Sequence, residues 1–145
     1  MRSTRFSAAA IVATVLLAGV ASADSHKRGK KLQTELTGAA ERPGPGDADG
    51  SGTATFTIHE GRSRICYALT VADIDTATAA HIHLAGPDSA GPVRVTLAAP
   101  VIGASSGCIP ISAELADDLH DNPENYYVNV HNAAFPAGAI RGQLN

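Results

Sequence analysis

Residues 51–71 read SGTATFTIHEGRSRICYALTV and hold the clearest structural pattern in the chain. Apolar side chains alternate with threonines over residues 53–58, and a second alternation of apolar side chains runs over residues 65–71. A period of two is typical of a strand that buries one face, because successive side chains point to opposite sides of the sheet. Gly61 lies between the two runs, where a turn is needed, so we predict a β-hairpin.

Further segments with a period of two lie on both sides of this hairpin, and glycine or proline lies close to most of the intervals between them. These segments are residues 32–40, 78–85, 93–98, 126–131 and 139–144. Only residues 112–120 have a helical pattern, with Ser112 as N-cap and with Leu115 and Leu119 four residues apart. We therefore predict an all-β fold, an antiparallel Greek-key β-sandwich or barrel of about seven or eight short strands with one short helix.

The composition agrees with a single small domain. The chain has 145 residues, of which 44% are hydrophobic and 17% are charged, so it is too apolar to be disordered. Its formal net charge of −3 argues against nucleic acid as a partner, because nucleic-acid binding needs a concentrated basic surface.

Residues 1–23 have the organisation of a cleaved signal peptide. Arg2 and Arg5 form a positive segment, residues 8–20 are apolar, and residues 21–23 (ASA) supply the small side chains that a signal peptidase needs. The apolar segment is too short to span a bilayer core of ~30 Å as a helix. We therefore predict an exported protein, periplasmic or secreted, with no integral membrane span after cleavage.

The predicted mature chain divides into a flexible basic arm, residues 24–31, and a β-sandwich domain, residues 32–145. Cleavage before the arm would make Asp24, Ser25 and His26 the new N-terminus. A free amine, two backbone amides and a third-position imidazole can bind Cu(II) in a square-planar arrangement. The sequence therefore predicts an N-terminal copper site that depends on the cleavage position.

Cys66 and Cys108 are the two cysteines of the chain. In the oxidising compartment that export implies, each has only the other to pair with, which favours a structural disulfide. Such a bridge would close a loop of roughly 43 residues, worth ~4 kcal/mol in the chain-entropy model. The alternative is a pair of thiolate ligands for a metal, although the chain has no C-x-x-C motif.

His81 and His83 are separated by one residue on a predicted strand, so both imidazoles leave the same face. On two other predicted strands, His131 and Arg141 also lie on the polar face. If these strands are neighbours, three imidazoles and one guanidinium share a surface. Imidazoles grouped in this way suit a first-row transition metal, whereas a lone surface histidine is usually only solvated.

Seven short motifs are spread over residues 32–145: LTGAAERP (36–43), HIH (81–83), GP (86–87), GPV (91–93), YVNVHN (127–132), FPAG (135–138) and IRGQL (140–144). Their combination resembles the CHRD domain family, which is named after chordin. The resemblance implies an exported single domain whose fold is similar in outline to the copper–zinc superoxide dismutase sandwich.

Some members of that family resemble redox-metal superoxide dismutases in function. The resemblance therefore implies that His81, His83 and His131 bind one redox-active metal ion, iron or copper. Zinc is a weaker candidate because it cannot change its oxidation state. The fourth ligand is left open between water or substrate, Glu41 and, with less support, Tyr127.

Arg141 is the candidate catalytic residue, because a positive charge beside the metal would steer a small anion, superoxide, into a site on an acidic protein. The leading hypothesis is thus an exported superoxide dismutase. The alternative is a non-catalytic module for metal sequestration or for envelope or protein interaction. The sequence leaves open whether the chain forms a homo-oligomer.

Overall fold

A computed structural model describes residues 29–145. Within them the chain forms eight strands and one α-helix. The strands are β1 (Lys30–Thr37), β2 (Ser51–His59), β3 (Arg64–Ala72), β4 (Ala77–Leu84), β5 (Val93–Leu97), β6 (Ala104–Pro110), β7 (Tyr126–Asn132) and β8 (Ile140–Gln143), and the helix is α1 (Ala113–Asp121). The predicted signal peptide, the N-terminal copper site and most of the predicted arm lie outside the described residues.

The eight strands belong to one antiparallel sheet with the order β5-β4-β7-β8-β1-β2-β3-β6. The sheet curls until its two edges approach each other. Directly after β5, the Ala98 N–H donates to the Tyr67 hydroxyl of β3 at 2.9 Å, and Ser105 Oγ of β6 donates to the Ala98 carbonyl at 2.7 Å. The predicted fold class is therefore confirmed as an all-β antiparallel sheet, nearly barrel-shaped, with one short helix.

The predicted hairpin is formed by β2 and β3, with Phe56 opposite Tyr67. Along β2 the apolar side chains are buried and Thr53 and Thr55 are exposed, as the alternation predicts. The buried face points into the barrel, where it meets the inner faces of the other strands. The largest fully buried apolar side chains include Phe56, Leu36, Ile58, Ile65, Leu69, Ile82, Leu119, Ile140, Leu144 and Val128.

Two strand assignments differ from the sequence analysis. Among the described strands, β6 was not predicted, because its sequence ASSGCIP has few apolar side chains and most of them stay exposed at the edge of the sheet. β1 begins at Lys30 and not at residue 32, so Lys30 and Lys31 pair with Ile58 and Thr57 of β2 and do not belong to an arm.

The disulfide and the helix agree with their predictions. Cys66 and Cys108 are bonded and lie directly opposite each other on β3 and β6, with Cα atoms 3.9 Å apart. Ser112 Oγ accepts a hydrogen bond from the Leu115 N–H at 3.2 Å, which caps the first turn of α1. Among residues 29–145 no helix is both long and apolar enough to cross a membrane.

Candidate metal centre

Strands β4, β7 and β8 are neighbours, as a shared site requires. His81 lies opposite Asn129, and Asn129 lies opposite Arg141, so the three residues form a row across the outer face of the barrel. Asn129 and Arg141 are nevertheless each only 1% exposed. Two loops, residues 85–92 and 133–139, fold over this outer face and hydrogen bond to its side chains. Within the polar row Asn129 and Arg141 are therefore buried and His81 is half-buried, which the alternation alone did not predict.

His81, His83 and His131 converge on this face. Each offers one ring nitrogen, and the three nitrogens lie within 4.8 Å of one another. His81 Nδ1 and His131 Nε2 are 3.1 Å apart. Two nitrogens that bind one metal at ~2.1 Å in adjacent positions are separated by about 3 Å. The structure thus brings together the three histidines that the sequence analysis selected.

Two backbone carbonyls fix the protons of these imidazoles. His83 Nδ1 donates to the Gly91 carbonyl at 2.8 Å, and His131 Nδ1 donates to the Pro136 carbonyl at 3.1 Å. Because a carbonyl oxygen can only accept, each neutral ring carries its proton on Nδ1 and its lone pair on Nε2. In the metal-free chain the Nε2 lone pair of His131 accepts from His81 Nδ1. His83 Nε2 is buried and has no hydrogen-bond partner, which costs free energy unless a bound group uses it. A metal ion would use it, so these residues fit one.

Two of the imidazoles, those of His81 and His131, are held in the neutral form that binds metals. Burial lowers the pKa of His81, and the neighbouring His131 and His83 lower it further. Burial also lowers the pKa of His131; the hydrogen bond to the Pro136 carbonyl opposes this shift, and His83 adds to it. At neutral pH both rings therefore keep a lone pair available for coordination.

A family model for the CHRD domain matches residues 32–144, which is nearly all of the described chain. The chain belongs to the CHRD domain family. A comparison with curated proteins found no match, and a comparison with solved structures found none either. The matched region contains His81, His83 and His131, so the three-histidine group is part of the CHRD domain itself.

Glu41, the first candidate for a fourth ligand, follows β1 of this CHRD domain and is 3% exposed. Its carboxyl packs against Gly138, where any side chain would collide with it, and it lines a cavity of about 150 Å³. Burial raises the pKa of Glu41 to about 7, although the charge of Arg141 and hydrogen bonds from neighbouring groups oppose the shift. Glu41 is not one of the three clustered ligand residues. Its role as a ligand stays a prediction.

Tyr127, the second candidate, lies between two other residues of the CHRD site. Its ring stacks on that of His83, with centroids 4.7 Å apart and planes 6° apart, and Arg141 Cζ lies 3.4 Å from the Tyr127 centroid. Its hydroxyl accepts a hydrogen bond from the Gly91 N–H at 3.3 Å. The hydroxyl is thus directed at the loop of residues 85–92, and coordination by Tyr127 stays a prediction.

Arg141 lies on the same outer face as the histidines, but the Tyr127 ring separates it from His83 and Asn129 separates it from His81. Its Nη1 donates to the Ser89 carbonyl at 2.9 Å, and its Nη2 donates to the Gly86 carbonyl at 2.8 Å and to Gln143 Oε1 at 3.3 Å. The guanidinium is therefore directed at the covering loop. Its predicted role in steering an anion stays a prediction.

Gly91 and Pro136 belong to the site, but the sequence analysis did not single them out as site residues. Both act through backbone carbonyls, which no side-chain pattern reveals; the only signal is their place in the GPV and FPAG motifs. His120 lies outside this site and forms a separate group, with Nδ1 3.4 Å from Glu60 Oε1 and 3.0 Å from Asp121 Oδ1.

Proposed function

We propose that this CHRD domain binds one iron or copper ion through His81, His83 and His131 and dismutates superoxide. The observation that carries the proposal is the buried, unpartnered Nε2 of His83, because His83 belongs to a group of three histidines whose ligand nitrogens lie within 4.8 Å of one another. A bound iron or copper ion would supply a centre that alternates between two oxidation states. Dismutation needs such a centre, because two superoxide ions and two protons become one dioxygen and one hydrogen peroxide.

The residues of the chain would hold the ion and preserve its charge. His83 and His131 direct their Nδ1 protons at carbonyls, so both Nε2 atoms stay available to the site. Neutral imidazoles do not cancel the positive charge of a metal ion, and an uncancelled charge favours an anionic substrate.

A metal-sequestering module without catalysis is the second candidate function, alongside a role in envelope or protein interaction. The burial of Arg141 favours it, because a guanidinium that donates to backbone carbonyls does not present its hydrogens to a substrate. The two candidates share the metal site and differ in the rate of superoxide decay.

The proposed compartment is the periplasm or the extracellular space. The Cys66–Cys108 disulfide supports it, because disulfides persist in oxidising compartments. Mass spectrometry of the exported chain should give an N-terminus at Asp24. A chain that begins at Ser25 or retains residue 23 would remove the predicted N-terminal copper site.

The test of function is metal content by mass spectrometry, with superoxide decay followed on the same sample of exported chain. The wild type should contain near-stoichiometric iron or copper and remove superoxide rapidly, and His83→Ala should lose both properties. His59→Ala is the matched control, because His59 lies on β2 outside the three-histidine group. Stoichiometric metal with background decay would leave the sequestering module. A wild type without metal would overturn the dismutase and the metal-sequestering module and would leave a role in envelope or protein interaction.

A further inference from the structure

The loop of residues 85–92 is held to the sheet by Arg141. From β8, the two terminal nitrogens of this side chain donate to the Gly86 and Ser89 carbonyls at 2.8 and 2.9 Å. A guanidinium presents its donors in a rigid, planar fork, so two acceptors from one loop fix the position of that loop relative to β8. A lysine has a single ammonium on a flexible stem and does not reproduce this geometry.

The far end of the same loop carries the acceptor for His83. The Gly91 carbonyl accepts the Nδ1 proton of His83 at 2.8 Å, while the Gly91 N–H donates to the Tyr127 hydroxyl. A side chain at position 91 would lie 2.0 Å from the Leu84 carbonyl oxygen, so this glycine lies directly against the end of β4. The position of the Gly91 carbonyl relative to His83 therefore depends on how the loop lies against the sheet, where the Leu84 N–H also donates to the Pro92 carbonyl at 3.0 Å.

A second route runs from Arg141 to His83 through Tyr127. Because β7 lies between β4 and β8, the Tyr127 ring has His83 on one side and the Arg141 guanidinium on the other. The separations are 4.7 Å between ring centroids and 3.4 Å from Arg141 Cζ to the Tyr127 centroid. A guanidinium stacked on an aromatic ring is attracted by its π face, most strongly where water is excluded. The stack therefore restrains the plane of the His83 ring.

We propose that Arg141 is a positioning residue that holds His83 in its Nδ1–H tautomer and orientation, through the 85–92 loop and through Tyr127. The effect of Arg141 on metal affinity rests on the proposed function. Its effect on the tautomer and orientation of the His83 ring applies to the metal-free chain as well. This role differs from anion steering, which needs only a positive charge near the site. Arg141→Lys separates the two roles, because it keeps the charge and loses the fork.

The first measurement is the pair of ring-nitrogen chemical shifts of His83 in the metal-free chain, at one fixed pH. The wild type should show a single Nδ1–H tautomer, and Arg141→Lys should shift both nitrogens toward the average of two tautomers. Arg64→Lys is the matched control, since Arg64 is a partly buried arginine on β3, away from the strands β4, β7 and β8 that carry the site. Unchanged His83 shifts in Arg141→Lys would overturn the proposal.

The second measurement is a titration of the full-length mature chain with Co(II), followed by absorption spectroscopy. Loss of a group that orients a metal-binding histidine typically weakens metal affinity 10–100-fold, so Arg141→Lys should raise the Kd by roughly that factor while Arg64→Lys leaves it unchanged. A Kd that rises in Arg141→Met but not in Arg141→Lys would assign the effect to charge and overturn positioning. If the wild type binds no Co(II), the proposed metal site fails, and the chemical shifts alone decide the positioning role.

Discussion

The two sides of the barrel use the outer face of the sheet differently. On β1, β2, β3 and β6, which we call the solvated strands, outer side chains such as Thr53 and Thr55 are exposed. The inner side chains of β1, β2 and β3 are mostly buried, whereas β6, at the edge, has no buried residue. On β4, β7 and β8, the covered strands, the outer side chains are buried or half-buried as well. β7 shows this most clearly, since six of its seven residues are buried and His131 is half-buried. The covered strands thus bury polar side chains where the solvated strands leave them in water.

The location of unpartnered polar atoms shows what this covering costs. Among residues 29–145, five side-chain polar atoms are buried without a partner. Glu41 Oε1, His83 Nε2 and Asn129 Oδ1 lie on the outer side of the covered strands, Asn132 Nδ2 lies at the end of β7, and Arg64 Nε lies on the solvated strands. Burying a polar group without a hydrogen bond costs free energy. Three such atoms under two loops are best explained by a group that binds there. The two sides of the barrel should also differ in how far an outer-face substitution lowers the free energy of unfolding.

The largest expected difference concerns matched outer-face substitutions. Tyr127→Ala on β7 removes a side chain that is 2% exposed and stacked on His83 and Arg141, so it should lower the free energy of unfolding by roughly 3–5 kcal/mol. Thr55→Ala on β2 removes an exposed side chain and should cost about 0.5 kcal/mol. Urea denaturation of the metal-free variants measures both. Similar losses of unfolding free energy at the two positions would remove the distinction between the covered and the solvated strands.

The disulfide should stabilise the solvated strands without supporting the metal centre. Replacing Cys66 and Cys108 with alanine releases a loop with a sequence separation of 42 and should lower the free energy of unfolding. The chain-entropy model gives up to ~4 kcal/mol for a loop of this size. Because the bridge joins β3 to β6, the Kd for Co(II) should stay the same in the folded variant. A weakened Kd would show that the two sides are coupled.

Burial along β2 was predictable from sequence to a degree that burial along the covered strands was not, although the covered strands were predicted as strands and β6 was not. Along residues 53–58 each side chain follows the period of two, because one face is in the core and the other in water. The same pattern selected His81, His83 and His131 as one face. It could not show that this face is buried, since the covering depends on contacts such as Arg141 with Ser89, which are distant in sequence. The sequence around an arginine on a polar face does not show whether its side chain holds a loop or lies in solvent as a surface charge.

Glu41 should make the stability of the covered face depend on pH. Its pKa rises from 4.5 to about 7 on folding, chiefly because burial disfavours the carboxylate. Between these values the unfolded chain has lost the Glu41 proton and the folded chain still holds it, so the contribution of Glu41 to stability should fall as the pH rises through this range. A shift of this size corresponds to roughly 3 kcal/mol. The lowered pKa values of His81 and His131 act in the opposite direction, so the effect of Glu41 is the difference between the wild type and a variant without this carboxyl.

The measurement is the free energy of unfolding of the metal-free chain between pH 4 and pH 8, in the wild type and in two variants. Glu41→Gln has no titratable group at position 41, so it should lack the Glu41 contribution to the pH dependence. Its free energy of unfolding should therefore rise relative to that of the wild type as the pH goes from 4 to 8. Glu35→Gln, an exposed position on β1, is the control and should follow the wild-type curve. If Glu41→Gln followed the wild-type curve as well, the fall would have to come from another group.

The smallest expected effect belongs to a polar contact on the solvated strands. Thr53 and Thr70 lie opposite each other on β2 and β3, with hydroxyl oxygens 2.7 Å apart and both side chains exposed. Water competes for both hydroxyls, so their coupling free energy in a double-mutant cycle with Thr53→Val and Thr70→Val should be about 0.2–1 kcal/mol. Valine keeps the branched shape that strands favour, so the cycle isolates the hydroxyl contact. A coupling free energy well above this range would mean that the outer face of β2 and β3 excludes water, as the outer face of the covered strands does. Burial of polar atoms would then not be special to the loop-covered site around His83.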